Sequence, residues 1–169
     1  MLIALYLLVA QGILGAFDTL WYHEYQQQLP RHASAKIELR LHASRDFAYA
    51  VVFGSLAWFA WHGVWAWLFG AILLFEIAIT LWDFVEEDMT RKLPAGERIM
   101  HTVMAIIYGA FLAHLLPQVM LWARQPTALV NVQLGFLSWV LSFFALGVFL
   151  SGIRDVVASF NPTPEAMPG

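Results

Sequence analysis

Two stretches of the chain repeat one spacing of a glutamate, a histidine and a tyrosine. Glu97, His101 and Tyr108 stand in ERIMHTVMAIIY, and Glu38, His42 and Tyr49 stand 59 residues earlier in ELRLHASRDFAY. On an α-helix, residues four apart differ by about 40° and rise about 6 Å, so each Glu/His pair points one way. Each tyrosine falls back on that face about 10 Å further along. A third stretch carries Glu76, Thr80, Asp83 and Glu87 at i, i+4, i+7 and i+11, one continuous polar stripe. A fourth, weaker stripe is Asp18, Tyr22 and Tyr25. His23 and Glu24 lie off it unless the helix loosens near its end.

Carboxylates and imidazoles gathered in apolar surroundings must be neutralised by protons or by a cation. Oxygen and imidazole ligands without thiolates suit iron, manganese or zinc. The chain has no cysteine, so thiolate sites, disulfides and covalent haem attachment are excluded. Two Glu/His pairs, with more carboxylates from two other helices, make up the inventory of a dinuclear site in a four-helix bundle. Ferritin-like carboxylate proteins use Glu-x-x-His, one residue shorter, to the same end. The expected ligands are Glu38, His42, Glu97 and His101, completed by Asp83, Glu87 and Asp18 or His23. The expected load is two divalent ions, iron first, with manganese or zinc as alternatives. Glu76, deeper in its segment, is the candidate proton shuttle, with Tyr49 and Tyr108 as candidate relay or redox groups.

Plainer roles compete with these. Glu97 follows Pro94 and Gly96, an ordinary helix start. Glu86 and Asp88, with Arg91 and Lys92 after them, read as a solvated helix end with local ion pairs. Tyr49 and Tyr108 also suit packing, and His62 and His114 suit the membrane interface. Arg45 and Asp46 could hold a lipid phosphate or pair with each other. Trp58, Trp61, Trp65 and Trp67 read as an aromatic belt.

The elements that must position these groups are membrane-length. The 169 residues are 60% apolar and 12% charged, with mean hydropathy +0.66, against about 25% charged in soluble domains. Eight Trp and thirteen Phe add to the excess. The expectation is an all-α integral membrane bundle of one domain, residues 1–160, with five transmembrane helices near 2–22, 45–62, 64–86, 98–117 and 133–153. The first is read as a retained span, since no basic segment or cleavage site accompanies it. WHGVW around Gly63 makes a short turn, and Pro117 ends or kinks the fourth span. Residues 161–169 read as a disordered tail.

Five spans place the termini on opposite sides. Of nine basic residues, eight (Arg31, Lys36, Arg40, Arg45, Arg91, Lys92, Arg98 and Arg154) fall on one side, and only Arg124 on the other. That side is therefore cytoplasmic, the N-terminus is outside and the C-terminus inside. In a bacterium this is the inner membrane. Most of the acids, and His23, His32, His42 and His101, share the cytoplasmic side. TLWYHEYQQQLP at Thr19 and TLWDFVEEDMTRKLP at Thr80 also match at start and finish. Residues 2–62 and 64–117 thus read as two parallel helix-pair repeats, with the site on their common axis.

The reading of function is a metal-dependent membrane oxidoreductase acting on a lipid, quinone or other apolar substrate at the cytoplasmic face. A zinc hydrolase uses the same residues. A metal or proton transporter is the second class, and a b-type haem protein with axial His42 and His101 the third. A purely structural scaffold is the fourth. Net charge −3 argues against nucleic acid. The fifth span, with Ser138, Ser142, Gly147 and Ser151, favours close helix contact or a homodimer interface.

Overall fold

The structure, a computed structural model, describes residues 1–29 and 35–160. Pro30, Arg31, His32 and the expected tail 161–169 lie outside the described residues. The chain is mostly helical. Helix α1 (Leu2–Phe17) runs on directly into a π-helical segment, Asp18–Gln26. Helices α2 (Lys36–Trp58), α3 (Val64–Thr90), α4 (Ala95–Ala123) and α5 (Phe136–Phe160) follow.

Four helices are long and apolar enough to cross a membrane: Leu2–Gln26, Val64–Thr90, Ala95–Ala123 and Phe136–Phe160. Their outer faces present large apolar side chains such as Leu74, Leu81, Ile106, Trp139 and Phe143, as expected of surfaces that meet lipid. Helix α2 differs. Lys36, Glu38, Arg40, Arg45 and Asp46 crowd its first half, yet Glu38 and His42 are buried. It packs against α3 on one side and α5 on the other, while α1 packs on α4 and α4 on α3. Helix α2 is thus largely screened by its neighbours, which is how it accommodates charge.

Several expected boundaries move. The second helix ends at Trp58, and Phe59–His62 forms strand β1, paired antiparallel with β2 (Ala128–Asn131) in the register Phe59↔Asn131 to His62↔Ala128. Short apolar runs do not distinguish strand from helix by pattern, and here the strand's partner is 66 residues away in sequence. Gly63 turns the chain at φ +61°, where any side chain would collide with Thr127. Pro117 does not end its helix, and α4 continues to Ala123. Trp61 is not part of an exposed belt, for it turns into the core against Phe69.

The apolar core lies in the half of the bundle that contains this small sheet. Leu5, Leu8, Phe53, Leu56, Phe69, Phe111, Leu115 and Leu141 are each at most 1% exposed. Helix α5 is pinned to α2 by Ser138, whose hydroxyl donates to the Ala57 carbonyl at 2.7 Å, and by Trp58, whose indole donates to Ser142 at 2.9 Å. Its small face is therefore used within the chain. At the other end of the bundle, α1 and α3 finish and α2 and α4 begin, so four helix ends converge.

Candidate metal centre

The first helix contributes two groups because its last turns are π-helical. Asp18 and His23 are five residues apart, about 140° on an α-helix. The i→i+5 bonding of a π turn brings them onto one face, and such turns recur at functional sites. Both are buried, at 2% and 4% exposure. Asp18 Oδ2 lies 3.3 Å from His23 Nε2. The expectation of Asp18 or His23 becomes both, and Glu24 turns instead to Arg154 on α5.

The other helices contribute at α-helical spacing. Glu38 and His42 come from the start of α2, Asp83 and Glu87 from the end of α3, and Glu97 and His101 from the start of α4. Glu38 and Glu97 sit in first turns, where the positive end of the helix dipole favours a carboxylate. All eight expected ligand residues are buried, and each of the four helices supplies two. In the EED run only Glu87 points inward. Asp88 is exposed and pairs loosely with Arg98 at 3.9 Å.

The donor atoms crowd one small volume. His23 Nε2 is 3.5 Å from Glu97 Oε1, and His42 Nε2 is 3.1 Å from Asp83 Oδ2. His101 reaches Asp18 Oδ2 through Nε2 at 3.3 Å and Glu87 Oε2 through Nδ1 at 3.4 Å. The His23 and His42 rings stack, with centroids 4.6 Å apart. His23, Glu87, Glu97 and His101 each place one donor atom within 4.8 Å of the others, and so do Glu38, His42 and Glu87. Either grouping could hold a metal ion. Two ligands at about 2.1 Å from one ion lie roughly 3.0–3.4 Å apart, close to the His101–Glu87 and His23–Glu97 contacts. Among the described residues, His23 Nε2, Asp18 Oδ1 and Asp83 Oδ1 are buried without a hydrogen bond. Groups that converge without satisfying one another fit a shared cation better than a closed hydrogen-bond network.

Comparison with family models, curated proteins and solved structures gives no match. The chemistry must therefore be read from the site alone.

Two arginines, Arg45 and Arg91, also belong to the cluster. Arg45 donates to Asp83 Oδ2 at 2.7 Å. Arg91 donates to Glu97 at 2.7 and 3.0 Å, to Glu38 at 2.9 and 3.1 Å, and to Glu87 at 3.4 Å. Burial alone would lower the Arg91 pKa, but the bonds it donates to Glu97 and Glu38 outweigh that and hold the guanidinium charged. The available signal was arithmetic. Five inward carboxylates need cations, and Arg91 stands four residues after Glu87 in sequence. Five carboxylates against two guanidiniums still leave a negative excess at the site.

Glu76, Tyr49 and Tyr108 are not at this cluster. They form a second polar group deeper in the bundle. Thr80 donates to Glu76 Oε1 at 2.8 Å, and the Glu76 carboxyl faces both tyrosines. The tyrosine rings meet edge to face at 5.7 Å, and Gln11 reaches the Tyr49 hydroxyl at 3.5 Å. His114 is exposed, and His62 packs near Trp122; both stand apart from either group.

Proposed function

We propose that the chain is an integral membrane metalloenzyme with a dinuclear non-haem centre, loaded with two iron ions, that oxidises a lipid, quinone or other apolar molecule. The observation that carries this reading is the position of Glu87, whose carboxylate belongs to both ligand groupings. A shared carboxylate is what places two ions side by side. His23, Glu97 and His101 would complete one site, and Glu38 and His42 the other. Asp18 and Asp83, each beside an imidazole, would orient the histidines as outer carboxylates do in many metal sites. Three imidazoles and three glutamates favour iron, manganese or zinc over magnesium or calcium. When bound, a pair of redox ions would supply electron transfer to and from dioxygen and substrate. A zinc pair would instead supply a hydroxide for hydrolysis.

The helix pairings support two parallel repeats. Helix α1 packs on α4 and α3 on α2, so exchanging the pair α1–α2 with α3–α4 maps one contact onto the other. The excess of basic residues at the site's end of the bundle supports a cytoplasmic location. Substrate would come from the inner leaflet, and a homodimer would use the outer face of α5.

The Glu76–Tyr49–Tyr108 group favours a second reading, ion or proton transport, because it extends polarity toward the opposite face. A haem between His42 and His101 fits poorly, since the Glu87 carboxylate lies against both imidazoles. Metal analysis of the purified chain is the test. About two ions per chain, lost in His42→Ala and His101→Ala, support the dinuclear centre. A Soret band, or a metal-free chain after expression in iron-, manganese- and zinc-supplemented medium, overturns it. Ion uptake into proteoliposomes that survives both substitutions supports transport instead.

A further inference from the structure

We propose that Arg91 is a latch over the metal centre, holding its three glutamates together when no metal is bound and releasing them for ions to enter. The inference rests on the dinuclear reading and adds an access route to it. All three carboxylates of the two ligand groupings, Glu38, Glu87 and Glu97, are held by this one guanidinium, and they come from three different helices. Both oxygens of Glu38 and both of Glu97 receive its N–H groups. An ion bound by those oxygens must therefore displace or share the guanidinium, and the two cations would repel at that distance.

Position supports the same role. Arg91 follows α3 immediately, in extended backbone, on the four-residue connection to α4. A change in that short segment need not disturb either helix. The Arg91 side chain is 14% exposed, whereas the carboxylates and imidazoles it covers are at most 8% exposed. Among the described residues it lies on the outer side of the glutamates it holds, as Arg45 does for Asp83. Opposing the latch, two divalent ions bring four positive charges to oxygens that otherwise share one. In the metal-free protein the guanidinium keeps the glutamates from repelling one another, so the ligand set stays preorganised.

The test is the rate of metal uptake by the purified, metal-stripped full-length chain, followed by the visible absorption of cobalt(II) in a stopped-flow instrument. If release of Arg91 precedes binding, the rate for the wild-type chain saturates as cobalt(II) is raised. In Arg91→Gln the rate becomes linear in cobalt(II) and faster by about ten- to a hundredfold, the equivalent of one charge-assisted hydrogen bond. Arg91→Lys, which keeps the charge but loses the fork, falls between them. Equal rates, linear in all three proteins, overturn the latch and leave the metal centre standing. No uptake by any of them overturns both. Were Arg91→Gln to misfold, the wild-type concentration dependence and Arg91→Lys decide the matter alone.

Discussion

His42 meets Asp83 across the α2–α3 contact at 3.1 Å, Nε2 to Oδ2, and His101 meets Asp18 across the α1–α4 contact at 3.3 Å through the same atoms. In the proposed two-repeat arrangement, the two pairs occupy equivalent places. If each aspartate orients its imidazole toward a different ion, Asp83→Asn and Asp18→Asn have parallel effects. Each is expected to weaken one of two bound ions by about ten- to a hundredfold, the usual cost of losing an outer carboxylate. Competition with a chelator of known affinity measures this. A full effect from one substitution and none from the other would break the equivalence.

Glu87 is shared between the groupings, whereas Glu38 and Glu97 each belong to one. Glu87→Gln is therefore expected to lose both ions, while Glu38→Gln and Glu97→Gln each retain about one. Elemental analysis of the three purified variants separates these outcomes. Retention of two ions by Glu87→Gln would rule out the bridging role.

The ligand helices were legible because Glu, His and Asp recur there at helical spacing, and the structure brings together the eight expected ligand residues, while Glu76 of the same stripe stands deeper. The weaker stripe on the first helix was not readable in full. Asp18 and His23 share a face only through a π turn, and no residue in DTLWYHEYQ announces one. Arg45 and Arg91 were misread for a different reason. Pattern alone treats basic residues at helix ends as solvated, but buried carboxylates draw these two inward, Asp83 for Arg45 and Glu38, Glu87 and Glu97 for Arg91. The β1–β2 pairing depends on contact between distant segments, which local apolar runs do not encode.

Asp83 is fully buried and its ion pair with Arg45 is short. Removing one partner of such a pair leaves an uncompensated buried charge, at a cost of about 3–5 kcal/mol. Arg45→Met is expected to lower the stability of the metal-free chain in detergent by that order, and added divalent metal is expected to recover part of the loss. Arg154→Met, which removes a partly exposed arginine from Glu24 and Asp155, should cost less and show no recovery with metal. Thermal unfolding with and without metal compares them. Equal, metal-independent losses would show that Asp83 does not feel the bound cation.

The π-helical segment makes a prediction about chain length. Leu20 lies between Asp18 and His23 and is 66% exposed, so its side chain carries little of the packing. Deleting it leaves Asp18 and His23 four residues apart, a spacing that an ordinary α-helix places on one face. Inserting one alanine after Leu20 leaves them six apart, about 120° from alignment on an α-helix and beyond the reach of a π turn. The deletion is expected to keep both ions and the insertion to lose the one held by His23. Both should retain the bundle, because Leu5 and Leu8, which anchor α1 in the core, precede the change. Helical content by circular dichroism checks the fold, and metal stoichiometry checks the site. If the insertion keeps two ions, His23 is not a ligand and the π turn has some other role.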